Sequence, residues 1–187
     1  MIDNRGGAST IIGAEAAAKA APDGYTLLLA NLSHSLMKSL HSKLSYDPDA
    51  DFTPVAFMGL TNSVLVTNVA VPVKTVQDLI AYAKSRPGGL NYAGGTTGAT
   101  AHLSGELFKM MTGVNITHVP YKGTGAAITA LISGEAQLAF LSLPPCVPQI
   151  QAGRLRAIAI GSSKRSVALP DLPTVAESGL PGFDVTA

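Results

Sequence analysis

Two loops rich in glycine and threonine carry the residue types best suited to holding a ligand. The first follows an apolar run that predicts a β-strand and precedes a helical pattern. Its members are Gly94, Gly95, Thr96, Thr97, Gly98, Ala99, Thr100 and, just inside the helix, His102. Where a strand passes through such a loop into a helix, free N–H groups and the positive end of the helix dipole point to one place, and small residues let an anion approach the main chain. The first loop therefore predicts a site for a small anion, most simply a carboxylate.

The second loop, residues 121–125, has the same position between a strand and a helix and adds a cation, Lys122, beside Gly123. In an open parallel sheet both loops would lie at the carboxyl ends of strands, where ligands of such folds bind. The spacing leaves a structural interpretation equally open, because glycine and threonine also serve as ordinary turn and cap residues. Neither loop has the glycine and lysine spacing of a triphosphate or dinucleotide site, so the sequence supports neither ligand.

Residues suited to catalysis or metal binding are few. The four histidines, His34, His41, His102 and His118, lack the spacing of a metal site, so no metal or other cofactor is expected. His102 could donate a hydrogen bond to a ligand or bond locally within the turn, and His118 is expected to be packed on a strand. Cys146 is expected to be a buried apolar residue. A small α/β transferase or hydrolase that uses Cys146 with His102 or His118 stays open as an alternative function.

Composition excludes two classes of partner. The 187 residues carry 13 Lys and Arg against 12 Asp and Glu, a net charge of +1. The longest basic cluster is Lys164-Arg165, whereas phosphate-backbone binding needs clustered cations, so no nucleic acid is expected. The uncharged stretches 52–73 and 136–153 are interrupted by proline or glycine, so no direct membrane insertion is expected. The first residues show no apolar secretory signal.

Apolar runs and helical windows alternate along the chain. Predicted strands lie at 25–30, 64–68, 90–93, 116–119, 136–141 and 155–160. Predicted helices lie at 10–21, 32–44, after the cap Thr75, at 101–111 and 126–133, with a helical turn near 146–151 and a short helix opened by Thr174 and Glu177. This alternation predicts an α/β fold with a mostly parallel sheet covered by helices on both faces.

Six sequence blocks occur along the chain in a characteristic order. They are Asn-Arg-Gly-Gly-Ala at 4–8, Pro-Asp-Gly-Tyr-Thr-Leu at 22–27, Tyr-Asp-Pro at 46–48 with Asp-Phe-Thr-Pro-Val at 51–55, His-Val-Pro-Tyr-Lys-Gly at 118–123, Gly-Arg-Leu-Arg-Ala at 153–157 and Leu-Pro-Asp-Leu-Pro-Thr at 169–174. The order resembles the Bug family, also called TctC, of periplasmic solute receptors of tripartite tricarboxylate transporters. Because the blocks span almost the whole chain, the resemblance is more specific than any one of them.

The resemblance implies a Venus-flytrap protein of the periplasmic-binding-protein type II fold, with two parallel-sheet α/β lobes. The first lobe would comprise 1–62 and 161–187 and the second 63–160. Such receptors are periplasmic, are not enzymes, and pass a small carboxylate to membrane permease subunits. The segment 94–102 resembles the second-lobe ligand loop, and Ser33 and His34 match the region of the first lobe that faces the cleft.

Two departures from the family qualify this expectation. The strand and glycine-rich loop that precede Asn4 in the family are absent, as is the block after Phe183, so the first lobe is expected to be incomplete. A truncated remnant that binds nothing therefore stays open as an alternative, and open sheet edges predict self-association. Many members carry an acidic or amide residue where this chain has Leu141-Ser142-Leu143. If Leu141 takes that place, binding of an amino-acid ammonium group is not expected, because a buried cation needs a partner.

Overall fold

The computed structural model describes residues 1–5 and 7–186. Gly6 and Ala187, both within the predicted first lobe, lie outside the described residues. Contacts along the chain divide it into two compact units, Met1–Gly59 and Leu60–Ala187.

The first unit contains a short 3-10 turn, Ala8–Thr10, and the helices α1, Ile11–Ala18, and α2, Leu32–Leu40. Helix α2 begins after Asn31, whose side chain accepts a hydrogen bond from the Ser33 N–H at 3.0 Å. Lys38 of α2 forms ion pairs of 2.7 Å with both Asp47 and Asp49. These contacts fix the turn that follows α2.

The strand predicted at 25–30 is not formed, and the prediction is wrong for the described chain. The side chains of Tyr25, Leu27 and Leu29 are exposed in this segment, which has no regular secondary structure. A strand needs a neighbour to satisfy its backbone N–H and C=O groups. The described residues of the first unit provide no such strand.

The second unit is built on a five-stranded sheet. Its strands are β1, Ser63–Asn68, β2, Leu90–Gly94, β3, Ile116–Pro120, β4, Leu138–Ser142, and β5, Leu155–Ile160. They lie in the order β3, β2, β4, β1, β5. Strand β2 is parallel to β3 and β4, whereas β1 is antiparallel to both of its neighbours, β4 and β5. The α/β fold is confirmed, but the sheet is mixed and the prediction of a parallel-sheet lobe is wrong, because β1 runs against the other four strands and makes two of the four pairings antiparallel. A fully buried apolar strand has the same sequence pattern in either direction, so the sequence does not indicate the direction of β1.

Helices cover both faces of this sheet, as predicted. They are α3, Val76–Lys84, α4, Thr100–Thr112, α5, Thr124–Ser133, and α6, Leu143–Gln151. Successive residues of a strand point to opposite faces. The ring of Tyr92 lies against Gly105 of α4, whereas Ala93 shares a buried cluster with Ile128 of α5 and Cys146 of α6. Helix α4 therefore lies on one face, and α5 and α6 lie on the other.

The ends of two helices show how local sequence sets them. Helix α3 begins with the predicted capping box, in which Asp78 N–H donates to Thr75 Oγ1 and Thr75 N–H donates to Asp78 Oδ2, both at 3.0 Å. Helix α6 begins earlier than the predicted turn and includes Pro144 and Pro145 in its first turn. Backbone N–H groups in the first turn of a helix make no intrahelical hydrogen bond, so proline is tolerated there. No helix in the described part of the chain is long and apolar enough to cross a lipid bilayer.

Residues 161–186 pack with the second unit. Gly161 N–H donates to Ser63 O at 2.8 Å, and Val185 N–H donates to Gly161 O at 2.9 Å. The rings of Phe140 and Phe183 stack with centroids 5.7 Å apart. The predicted second lobe, 63–160, falls inside this unit, and contacts within the chain group the described part of 161–187 with it. A first lobe that includes 161–187 in a longer receptor stays a prediction.

The predicted capping pair in this last segment forms without a helix behind it. Glu177 N–H donates to Thr174 Oγ1 at 3.0 Å, and Thr174 N–H donates to Glu177 Oε2 at 2.8 Å. The segment is a turn. Gly179 and Pro181 follow so closely that no second helical turn can form.

Candidate ligand-binding site

The two loops predicted to bind a ligand adjoin at one edge of the sheet. Strands β2 and β3 pair in parallel with Gly94 opposite Pro120. Just beyond that pair, Tyr121 N–H donates to Gly94 O at 2.8 Å. The candidate ligand loop, residues 94–100, therefore begins beside Lys122 and Gly123 at the carboxyl ends of the strands. Their proximity is observed, and binding of a ligand by these residues stays a prediction.

Three helices begin at this edge, and none has a side-chain cap. Because β2, β3 and β4 run in the same direction, α4, α5 and α6 all start where those strands end. The N-cap residues are Ala99, Gly123 and Ser142, and no side chain there accepts a hydrogen bond from its helix. Helix α3 follows the antiparallel β1, so it starts at the opposite edge, and its first turn is closed by the capping box. The shared edge thus presents three positive helix ends to an approaching anion.

Exposure differs along the candidate ligand loop. Thr96 and Thr97 are exposed, whereas Gly94 and Gly98 are buried. A Cβ added at Gly94 would lie 2.7 Å from His118 Nε2, and Gly98 has φ +84, which favours glycine. These two glycines are explained by local geometry. Thr96 and Thr97 have exposed side chains, and contact of their hydroxyls with a ligand stays a prediction.

Lys122 supplies a positive charge at the same edge. Its side chain is exposed, and no ion pair joins it to the residues that the structure describes. Its neighbour Tyr121 hydrogen-bonds Glu135 at 3.3 Å, so the carboxylate of Glu135 is held by a neutral group. Lys122 can therefore attract an anion to the helix ends without first breaking an ion pair.

His102 contacts the candidate ligand loop from inside helix α4. Its Nδ1 accepts a hydrogen bond from Gly98 N–H at 3.2 Å. Its ring centroid is 4.7 Å from that of His118. Of the two roles expected for His102, local bonding within the turn is observed, and donation to a ligand stays a prediction.

A polar cluster that no sequence pattern predicted lies beneath the loop. The Tyr92 hydroxyl donates to Glu106 Oε1 at 2.9 Å, and Lys109 Nζ lies 3.0 Å from the same carboxylate. Burial raises the pKa of Tyr92, and the Glu106 carboxylate raises it further. Burial alone would raise the pKa of Glu106, but the bonds from Lys109 and Tyr92 hold it below its ordinary value. The available signal was the position of Glu106 four residues after His102, on the same helix face.

The sheet separates the residues of the enzymatic alternative. His118 packs beside Tyr92 on the face covered by α4, with ring centroids 5.0 Å apart. Burial lowers the pKa of His118, and the neighbouring His102 lowers it further. Cys146 is fully buried on the opposite face, in the cluster with α5, and burial raises the pKa of its thiol to about 12. The interpretation of Cys146 as a nucleophile paired with His102 or His118 is therefore wrong.

Leu141 is the penultimate residue of β4, and its side chain packs in the core. It is 3% exposed and belongs to the same buried cluster as Cys146. The next residue, Ser142, ends β4 at the candidate edge and is half-buried. Neither residue offers the carboxylate or amide that would hold an ammonium group.

The two candidate residues of the first unit bond locally. Ser33 is buried in the first turn of α2, where its N–H donates to Asn31. The His34 Nε2–H donates to Pro48 O at 3.2 Å, and the His34 ring contacts Phe52 edge-on at 4.9 Å between centroids. A role for Ser33 and His34 in a ligand site stays a prediction.

A mixed α/β sheet with small-residue loops at the carboxyl ends of its parallel strands β2 and β3 has the architecture of a small-molecule-binding α/β protein. The whole chain, residues 1–187, matches the TctC family, described as the tripartite tricarboxylate transporter family receptor. The chain belongs to this family.

Similar proteins include a curated relative and two solved structures. The chain is 42% identical to protein BugT of Bordetella pertussis over 185 residues, which are 98% of this chain and 57% of BugT. It is 41% identical, with a TM-score of 0.93, to the R. palustris protein Rpa4515 solved with adipate, covering 100% of this chain and 62% of that one. It is 36% identical, with a TM-score of 0.86, to MatC from Rhodopseudomonas palustris with bound malate, covering 96% of this chain and 62% of that one. The chain thus spans somewhat more than half the length of these relatives.

Proposed function

We propose that this chain is the carboxylate-capturing part of an extracytoplasmic solute-binding receptor of a tripartite tricarboxylate-type transporter. It works in the periplasm, binds its ligand without a chemical step, and passes the ligand to the membrane permease subunits. The observation that carries this proposal is the set of three uncapped helix N-termini at one sheet edge. The adipate and malate held by the two Rhodopseudomonas palustris relatives support a small carboxylate as the ligand class.

The residues of the second unit bind the carboxylate in this mechanism. N–H groups at the start of α4 and the hydroxyls of Thr96 and Thr97 donate hydrogen bonds to the oxygens of the ligand carboxylate. Lys122 attracts the anion over a longer distance, and that contribution weakens as salt is added. Ser33 and His34 are included in this proposal as further ligand-binding residues of the complete receptor.

A charge placed at the N-cap of α4 tests the site. In Ala99→Asp, the new carboxylate accepts hydrogen bonds from the N–H groups of the first turn, which should stabilise the protein by about 1 kcal/mol. The same carboxylate occupies these N–H groups and repels the carboxylate of a ligand. Calorimetric titration of the full chain with adipate and with malate should show binding to the wild type and at least tenfold weaker binding to Ala99→Asp. 1,6-Hexanediol, which has no carboxylates, should not bind either protein.

A matched control separates blocking of the site from the change in net charge. Ala81→Asp places the same charge on the exposed face of α3, which starts at the other edge of the sheet, and it should bind adipate like the wild type. Wild-type protein that binds neither dicarboxylate would favour the non-binding remnant. Equal affinities for the wild type and Ala99→Asp would place the site elsewhere.

A further inference from the structure

We propose that His102 is a positioning residue, whose Nδ1 fixes the candidate ligand loop by accepting a hydrogen bond from Gly98, and that protonation of His102 releases this loop. The consequence for ligand affinity rests on the proposed function. The positioning itself does not, because the bond lies within the protein.

His102 bonds the loop that precedes helix α4 and leaves the N–H groups of the helix's first turn uncapped. The N-cap residue, Ala99, has no side-chain acceptor. His102 stands three residues further on, so its ring can turn back over the first turn and accept from Gly98 N–H, 3.2 Å from Nδ1. Ala99 N–H donates to Thr96 O at 2.9 Å in the same loop. The Ala99 backbone bond and the His102 side-chain bond are thus among the contacts that hold the segment that would present N–H groups to a ligand.

The direction of the bond sets the protonation state of the imidazole. Because Gly98 contributes an N–H, Nδ1 must carry a lone pair, so the proton of neutral His102 lies on Nε2. The imidazolium has a proton on both nitrogens and cannot accept. Protonation therefore turns the contact between His102 and Gly98 into two opposed donors, and the loop must move.

The groups around His102 do not replace this acceptor. From β3, the His118 ring faces it at 4.7 Å between centroids, and from β2 the Tyr92 hydroxyl lies 3.3 Å from its backbone oxygen. On α4 itself, Glu106 is already bonded by Tyr92 and by Lys109. Acidification that protonates the imidazole is therefore expected to release the loop.

The first experiment needs no ligand. In the full chain, nitrogen-detected NMR of the histidines should show the Nε2–H tautomer for His102 at pH 8, and the Gly98 amide resonance should move with the same midpoint as the His102 ring. The opposite tautomer, or a Gly98 resonance that does not follow His102, would overturn the proposal.

Two substitutions separate positioning from packing. In His102→Asn, the side-chain oxygen can occupy the place of Nδ1 without titrating, so the Gly98 resonance should stay near its pH 8 position down to pH 5. In His102→Leu no acceptor remains, so the resonance should be displaced at every pH. The two variants behaving alike would overturn the proposal. As the control, His118→Asn should leave the movement of the Gly98 resonance with His102 intact, and loss of that movement would assign the titration to His118.

Adipate binding then tests the functional consequence. Wild-type affinity should fall at least fivefold from pH 8 to pH 5.5, where most adipate carboxyl groups remain ionised, and affinity of His102→Asn should change less than twofold. An affinity that rises with acidity would overturn the release mechanism in favour of simple attraction by the imidazolium. If adipate does not bind the wild type at any pH, the proposed function fails, while the NMR measurements still decide the positioning role.

Discussion

Gly105 of α4 lies directly against the ring of Tyr92 on β2. A Cβ built at Gly105 would be 2.5 Å from Tyr92 Cζ and 2.9 Å from Cδ2, closer than real Cβ contacts. Tyr92 is fully buried and is held at its hydroxyl by Glu106. The missing side chain at Gly105 therefore allows α4 to lie close to the sheet, and α4 carries His102 and the end of the candidate ligand loop.

Gly105→Ala should destabilise the second unit. Overpacking typically costs about 1 to 3 kcal/mol, and the helix propensity that alanine gains returns about 0.5 to 1 kcal/mol. We expect a net loss of about 1 kcal/mol or more, measured by urea denaturation followed by circular dichroism.

Gly125→Ala is the matched control, because a Cβ at Gly125 in α5 would have nothing within 4 Å, and it should stabilise by about 0.5 to 1 kcal/mol. Equal effects of the two substitutions would contradict the close approach.

Arg156 fixes the connection between β1 and α3. Its Nη1 donates to the carbonyl oxygens of Val71 at 2.6 Å and Val73 at 3.1 Å, and its Nη2 donates to Val69 O at 3.2 Å. Arg156→Ala should lower the free energy of unfolding by about 2 kcal/mol, since hydrogen bonds to charged groups contribute more than neutral ones.

Arg156→Lys should recover only part of that loss, because a single ammonium cannot reproduce the guanidinium fork. Arg154→Ala, at an exposed position just before β5, should change stability by less than about 0.5 kcal/mol. Thermal unfolding of the three variants checks the order. A lysine variant as stable as the wild type would show that charge alone matters at this position.

Local signals in the sequence were sufficient for most of the second unit. The strand at 155–160 and the capping box of Thr75 and Asp78 form as predicted, because an apolar run or a cap acts over a few residues. The direction of β1 depends on neighbours far along the chain, so it could not be predicted. The segment 25–30 has strand-forming residues but no partner strand among the described residues.

The candidate site was predictable in position and not in detail. Strand-to-helix loops of small residues indicated the edge of the sheet, because that pattern is local. The bond from Gly98 to His102 depends on a side-chain rotamer, and the packing of Tyr92 under α4 depends on the distance between a helix and the sheet. Neither quantity has a sequence pattern of its own, although the spacing of His102 and Glu106 placed both on one helix face.

Asp47 should titrate far below an ordinary aspartate. The Lys38 ammonium, followed by the N–H groups of Asp49 and Ala50, lowers the pKa of this carboxyl to about 2. Because the folded pKa lies below the unfolded value of about 3.9, these contacts stabilise the first unit above pH 4, and that stability is lost as the pH falls towards 2.

The side-chain carboxyl carbon of Asp47, followed by NMR, should show a midpoint near pH 2. In Lys38→Gln the midpoint should rise, yet stay below the unfolded value because both backbone N–H bonds remain. A wild-type midpoint near 4 would show that the ion pair and the turn are not formed in solution.

The exposed segment 25–29 should cause self-association. Tyr25, Leu27 and Leu29 alternate with period two and are 93%, 73% and 81% exposed, which resembles an unpaired strand with one apolar face. Light scattering should therefore give a weight-average mass that rises with protein concentration.

Leu27→Lys combined with Leu29→Lys should return the protein to a monomer, because like charges oppose strand pairing. Val167→Lys is the control, since Val167 is an isolated apolar residue, 99% exposed, in the second unit, and it should associate like the wild type. A wild-type protein that stays monomeric at all concentrations would contradict the prediction.

Cys146 should be almost inert towards alkylating reagents. Its thiol is fully buried, and burial raises its pKa to about 12, so at neutral pH the reactive thiolate is roughly a thousandfold rarer than for a free cysteine. Iodoacetamide labelling at pH 7.5, followed by mass spectrometry, should be slow in the native protein and fast in guanidinium chloride.

Ser163→Cys in a Cys146→Ala background is the control, because Ser163 is exposed and the thiol introduced there should label at the rate of a free thiol. Rapid labelling of native Cys146 would mean that the cluster beneath α6 opens readily, and the sheet would then no longer keep this thiol apart from His102 and His118.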